Sequence, residues 1–176
     1  MEKIQEEYGK ISEKYCNHIV QYPPEVSLCA GCTSCEAVCA MVHDGAVSPS
    51  LSRIQLERGT VSMIHTIHAC MQCRDHPCYS ACPKKDKAMC IDEKLGIAYV
   101  NQEECVGCRL CVKACPFEPK RIRMNLDKPR PKAIKCDMCR TRPNGPACVE
   151  YCQVRCIGKS EDPVPVDDRG RTQGLF

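Results

Sequence analysis

The sequence predicts an α+β fold of short strands and short helices packed around clustered cysteines in place of an ordinary apolar core. Three observations predict it. The 176 residues include 19 cysteines, about 11% of the chain, a density that marks either a disulfide scaffold or metal ligation. These cysteines form four quartets that begin at Cys29, Cys70, Cys105 and Cys136, so the chain reads as an internal repeat. Hydrophobic content of 43% falls to about 32% without cysteine, and there is no Trp, two Phe and 5% aromatic residues. Burial alone therefore leaves a thin core.

From the N-terminus, Ile4, Tyr8, Ile11, Tyr15 and Ile19 recur every three or four residues and predict an amphipathic helix within residues 1–27. The first quartet, CAGCTSCEAVC, follows. Arg53 to Glu57 and Val61 to Ile67 alternate around the Arg58-Gly59 turn and predict a hairpin. After the second quartet, Met89 to Ile91 and Ile97 to Val100 flank the turn-prone stretch from Asp92 to Gly96, a second hairpin. The segment after the third cysteine of each quartet suits a short helix. The stretch 158–176, with Pro163, Pro165, Gly170 and Gly174, lacks periodicity and reads as an extended tail.

Spacing decides what the cysteines do. The opening MEKIQEEYGK has no apolar segment and no twin arginine, and no later stretch is as long as a membrane span, so the expected location is a reducing cytoplasm without membrane insertion. An odd number of cysteines, crowded at intervals of three, suits a shared metal centre better than disulfides. A cubane iron–sulfur cluster needs four thiolates, and cysteines at i, i+3 and i+6 wrap three of them around one cube, leaving the fourth to come from elsewhere. In two-cluster ferredoxins the run C-x2-C-x2-C-x3-C-P gives three ligands to one cluster and its last cysteine to the other. CVGCRLCVKACP, from Cys105 to Pro116, fits that run throughout, and CMQCRDHPCYSACP ends in the same pair, Cys82-Pro83.

The two central quartets are therefore expected to exchange ligands. Cys70, Cys73 and Cys78 join Cys115 in cluster 3, and Cys105, Cys108 and Cys111 join Cys82 in cluster 4. The outer quartets then pair likewise, with Cys29, Cys32, Cys35 and Cys152 in cluster 1 and Cys136, Cys139, Cys148 and Cys39 in cluster 2. Ala40 and Gln153 stand where the inner quartets have proline. This nests an inner unit, 68–118, within an outer one, 28–67 with 119–157, in a domain spanning 28–157. Structural zinc is the alternative, and the fourth quartet alone suits it.

The order CMQCRDHPCYSACP, CVGCRLCVKACPF, KCDMC and GPACVEYC resembles the four-cluster iron–sulfur subunits of molybdenum and tungsten oxidoreductases, such as those of dimethyl sulfoxide reductase and formate dehydrogenase. His43-Asp44-Gly45, Pro49 and Ser52-Arg53-Ile54 resemble the soluble branch that accompanies tungsten aldehyde oxidoreductases, class II benzoyl-CoA reductases and some carbon monoxide dehydrogenases. The resemblance implies two ferredoxin-like halves with four 4Fe–4S clusters in a row. It also implies a non-catalytic electron-transfer subunit that serves a tungsten- or molybdenum-pterin catalytic partner, with a further redox subunit or ferredoxin as a second partner.

No Ser-His-Asp set, phosphate-binding glycine loop or dinucleotide fingerprint offers an independent catalytic centre. Phe117 to Arg142 holds nine Lys or Arg (Lys120, Arg121, Arg123, Lys128, Arg130, Lys132, Lys135, Arg140, Arg142) against three acids. This reads as a docking surface, as a field that raises cluster potentials, or as a solvated face. Nucleic-acid binding fits poorly, since the stretch has one aromatic residue and net charge over the whole sequence is only +3. His18, His43, His65, His68 and His76 are not needed as ligands. Cys16, Cys90 and Cys156 remain outside the quartets and read as small core residues, with a small metal site of Cys16, His18 and Cys156 as the alternative. A free polyferredoxin carrier, an electron-transfer subunit of a carbon monoxide dehydrogenase or hydrogenase complex and, more remotely, a zinc-stapled interaction module are the competing functions.

Overall fold

A computed structural model describes residues 14–162. Eight short strands pair into four separate antiparallel two-stranded sheets, and four helices follow the metal-ligand loops. The strands are β1 (Ile19–Gln21), β2 (Gln55–Glu57), β3 (Thr66–His68), β4 (Met89–Asp92), β5 (Ile97–Val100), β6 (Ile122–Asn125), β7 (Lys132–Lys135) and β8 (Ile157–Lys159). The helices are α1 (Ser34–Asp44), α2 (Pro77–Ser80), α3 (Leu110–Ala114) and α4 (Ala147–Glu150). Each helix contains the third cysteine of its quartet, where sequence placed it.

The pairings are β1 with β8, β2 with β3, β4 with β5 and β6 with β7. Met89 lies opposite Val100 and Asp92 opposite Ile97, the second predicted hairpin. In the first, Glu57 pairs with Thr66, so the connection is a long loop in which Val61, Met63 and Ile64 are exposed. The β6–β7 hairpin was hidden in the basic stretch. Its alternation Ile122-Arg123-Met124-Asn125 is strand-like, and the proline-containing turn to Lys132 closes it.

At the N-terminus the predicted helical stripe falls mostly outside the described residues. Its last two members are extended: Tyr15 bridges to Cys73, and Ile19 pairs with Lys159. Backbone pairing to the second quartet's loop, through Cys16 N–H to Gln72 O at 2.8 Å, replaces helical hydrogen bonding there. Pairing with β1 draws Ile157–Lys159 into a sheet, and the expected tail lies mostly outside the described residues.

Two cores form. One gathers Ile19, Ile54, Ile97, Met138 and Ile157 around Cys29, Cys35, Cys39, Cys136 and Cys148. The other gathers Met89, Ala98, Ile122 and Ala133 around Cys78 and Cys111. The β6–β7 hairpin thus packs on the inner quartets, beyond the expected limit at residue 118. α1 packs on α4, and α2 on α3.

Candidate metal centre

The four ligand loops share one backbone solution. The residue before the second cysteine of each quartet takes positive φ: Gly31 (66°), Gln72 (47°), Gly107 (74°) and Met138 (58°). The residue two before the third cysteine does so in three of them, at Thr33 (62°), His76 (42°) and Arg109 (63°). Only Pro146, at φ −64°, departs, in the quartet whose gap has grown most. Left-handed turns at these points curl the backbone so that successive cysteines face a common centre. Glycine at 107 is required twice over, because a Cβ there would sit 2.2 Å from the Pro131 carbonyl oxygen.

One cavity of about 320 Å³, its mouth included, is lined by Cys70, Cys73, Cys78 and Cys115 with Arg121 and Lys135. A second, of about 370 Å³, is lined by Cys82, Cys105, Cys108 and Cys111. The structure therefore brings three cysteines of each inner quartet together with the last cysteine of the other. In the outer pair, Cys35 lies within electrostatic reach of Cys29 and Cys152, and Cys148 within reach of Cys39 and Cys139. Cys136 lies within reach of Cys148.

Neighbouring sets also touch electrostatically, Cys148 with Cys35, Cys136 with Cys70, and Cys111 with Cys78. Among the quartet cysteines, Cys32 and Cys108 are exposed.

The donor set suits a cluster better than a single ion. Four sulfurs 2.3 Å from one zinc would lie about 3.8 Å apart. Among the described residues, the only group of three or more potential ligand atoms within 4.8 Å of one another is His43, Asp137 and Cys139. The quartet sulfurs are spread more widely than zinc would draw them. Arg121 Nε and Nη1, on the wall of the Cys70 cavity, are buried without a partner, which suits an anionic group in that cavity.

Burial sets the electrostatics of the thiols. Burial first, then Glu36, Cys29 and Cys152, push the Cys35 thiol up to about 12. Burial, Cys70, Asp75 and Cys78 push Cys73 up to about 11, and burial with Cys105, Cys78 and Cys108 pushes Cys111 up to about 12. Cys136 and Cys148 are raised well above the ordinary thiol value, burial again leading. Ligation must displace these protons.

Three of the sulfurs already accept backbone N–H groups, the kind of contact that tunes a bound cluster. Arg53 N donates to Cys39 Sγ at 3.3 Å, Arg121 N to Cys115 Sγ at 3.4 Å, and Ala133 N to Cys105 Sγ at 3.4 Å.

Sequence reasoning missed several residues here. Cys156, 1% exposed, has its sulfur 3.6 Å from Cys152 Sγ, against the first set, and so is more than core filler. Among the described residues it forms no ligand group with Cys16 and His18, and His18 Nδ1 is engaged by the Cys16 carbonyl at 2.8 Å. His43 Nε2 stands 3.6 Å from Cys139 Sγ and 3.4 Å from Asp137. Of the basic stretch, Lys135 is buried while Lys128 and Arg130 are exposed, so no single reading covers it.

Comparison with known proteins places this geometry. Residues 61–161 match the family model described as a 4Fe-4S dicluster domain. The protein belongs to the 4Fe-4S dicluster family. It is a ferredoxin-type iron–sulfur protein of electron transfer, and its first quartet lies ahead of the matched dicluster span. It is 39% identical to the aliphatic sulfonate oxidoreductase polyferredoxin-like subunit of Pyrococcus furiosus, over 70% of this sequence and 66% of that one. It is 30% identical to the electron transport protein HydN of Escherichia coli, over 86% and 96% of the two sequences. The B polypeptide of the polysulfide reductase of Wolinella succinogenes is 32% identical over 78% and 74%. Among the described residues no helix is long and apolar enough to cross a membrane.

Proposed function

We propose that this protein is an electron-transfer subunit holding four 4Fe–4S clusters, which relays electrons to or from a tungsten- or molybdenum-pterin catalytic subunit of the aldehyde oxidoreductase or benzoyl-CoA reductase type. The ligand sets are Cys29, Cys32, Cys35 and Cys152; Cys136, Cys139, Cys148 and Cys39; Cys70, Cys73, Cys78 and Cys115; and Cys105, Cys108, Cys111 and Cys82. The observation that carries the reading is the exchange of the last cysteine between inner quartets, each cavity drawing three thiols from one loop and one from the other.

A 4Fe–4S cluster supplies one-electron storage at a potential set by charge, hydrogen bonds and exposure. The protein's own residues do the rest. Buried thiols exclude water from the interior, N–H donors meet Cys39, Cys115 and Cys105, and Cys32 and Cys108 reach the surface. Support for a subunit comes from relatives described as an oxidoreductase's polyferredoxin-like subunit and as one polypeptide of a polysulfide reductase. Support for a tungsten or molybdenum partner comes from the sequence resemblance around Cys29–Ile54.

The test is metal analysis of the natively purified complex under strict anaerobiosis. About sixteen iron per chain, beyond what a partner holds, with tungsten or molybdenum in the same particle, is the expected result. Sixteen iron on a particle eluting near the chain's own 19.7 kDa would instead identify a free carrier. Eight iron would remove two of the four sets, and zinc in place of iron would overturn the reading.

A further inference from the structure

Among the described residues, Lys135 is a cation enclosed between two of the proposed sites. It ends β7, is 4% exposed, and directly precedes Cys136. Its Nζ donates to Gln72 Oε1 at 3.0 Å and to the Ala98 carbonyl. Both acceptors are neutral. Gln72 is itself 1% exposed, takes the Ala98 N–H on the same oxygen at 3.1 Å, and gives its Nε2 to the Cys136 carbonyl at 2.8 Å. One ammonium and one amide thus tie the second quartet's loop, β5 and the fourth quartet's first cysteine into a single buried knot.

Burying an ammonium without a counter-charge is costly. Lys135 lines the same cavity as Cys70 and Cys78 and directly precedes Cys136, so the two ligand sets, once they hold their clusters, are the anionic groups that would offset that cost. His76 lines the same cavity. The lysine is therefore enclosed, dry and shared by two ligand sets.

We propose that Lys135 is the common counter-charge of the second and third sites, a buried ammonium that favours the extra negative charge of the reduced state in both and so raises their potentials together. The inference rests on the ligand sets proposed above. Reduction adds one electron at a site and the ammonium keeps its proton, so no other group changes. Electrons crossing between the outer and inner units would pass near Cys136 and Cys70, beside Lys135, where its charge would favour the reduced state.

The test is an EPR-monitored redox titration of the anaerobically purified full-length protein, alongside Lys135→Met and the exposed control Lys128→Met, with iron counted in each. Lys135→Met should hold the wild-type iron, and two of the four reduction steps should move to lower potential. At fixed potential their reduced-to-oxidised ratio should fall about tenfold, 59 mV for a one-electron couple, while the other two steps and all four in Lys128→Met stay in place. Full iron with four unmoved steps overturns the proposal. If Lys135→Met loses iron, Gln72→Glu keeps the lysine and sets a carboxylate against it. The same two steps must then fall, and no change refutes the idea. A wild-type protein without iron would overturn the ligand reading itself, which the iron count separates from failure of Lys135 alone.

Discussion

In the inner pair of sites the two helices, α2 and α3, are four and five residues long and each closing cysteine is followed by proline, whereas the outer pair packs the eleven-residue α1 on α4 and has no such proline. The outer closing segments take their hydrogen bonds from farther along the sequence, whereas Cys115 takes its own from Arg121, six residues on. After Cys39, the buried Arg53 gives its backbone N–H to that cysteine's sulfur and its side chain to Asp44 and the Leu51 carbonyl. After Cys152, Ser27 Oγ donates to the Val154 carbonyl at 2.6 Å, and Tyr22 N–H to the Cys156 carbonyl at 2.8 Å. A proline fixes the exit of a ligand loop through its own ring. Lacking it, the outer unit recruits distant segments to do the same, and β1–β8 is the result.

The largest expected effect would erase the comparison. Both cores are built on cysteine side chains, so stripping the metal with a chelator under anaerobic conditions should unfold the inner and outer units together. Far-UV circular dichroism during heating is the check. A cooperative transition in the metal-free protein would mean that one unit has enough apolar packing to stand alone.

Two glycine substitutions should separate the units. Gly107→Ala places a Cβ 2.2 Å from the Pro131 carbonyl at φ 74°, adding about 1–2 kcal/mol of left-handed strain to the clash, and should cost the inner unit about four iron at the Cys105 site. Gly158→Val drives a side chain into Tyr22, whose Oη would be 1.9 Å from the new Cβ, and should open β1–β8 with loss of the Cys152 site. Iron per chain and EPR signal counts read both. Loss of all iron in either variant would make the two units one cooperative body.

Much of this was legible in the sequence, and the reason is chemical. Cysteine spacing dictates loop curvature, so the short helices at Cys35, Cys78, Cys111 and Cys148 and the hairpin from Met89 to Val100 sit where the pattern put them. What escaped depends on partners far along the sequence. Ile19 belongs to a helical stripe by period but is strand because Lys159, 140 positions on, pairs with it. Lys135 reads as one charge among nine, and only β5 and the Gln72 loop closing over it make it interior. Cys156 lacks quartet spacing, and only its contact with Cys152 brings it to a site.

Acidity should distinguish the Cys152 site from the Cys111 site next. Thiols raised toward 12, such as Cys35 and Cys111, are protonated at neutral pH, so each must lose a proton to bind iron and assembly must strengthen as pH rises. Cys152 differs: a hydrogen bond from Cys156, foremost among its causes, holds its thiol below the ordinary value. The Cys152 site therefore releases fewer protons than the Cys111 site. Reconstitution followed from pH 6.5 to 8.5 should show a shallower pH slope for the EPR signal lost in Gly158→Val than for the one lost in Gly107→Ala. Equal slopes would remove Cys156 as the cause.

The smallest effect concerns Cys156 itself. In the first set the buried Cys156 thiol stands 3.6 Å from Cys152 Sγ and adds a side-chain donor to the backbone ones. A weak hydrogen bond of this kind contributes about 0.5–1 kcal/mol. Its loss in Cys156→Ala should lower the potential of one site by about 20–40 mV, with iron unchanged and the other three steps fixed. Cys90→Ala, in β4 opposite Tyr99, should move nothing. The informative failure is iron. If Cys156→Ala loses about four atoms while Cys152→Ala keeps them, Cys156 is the ligand and Cys152 its neighbour, and the outer unit closes four residues later than its spacing implies.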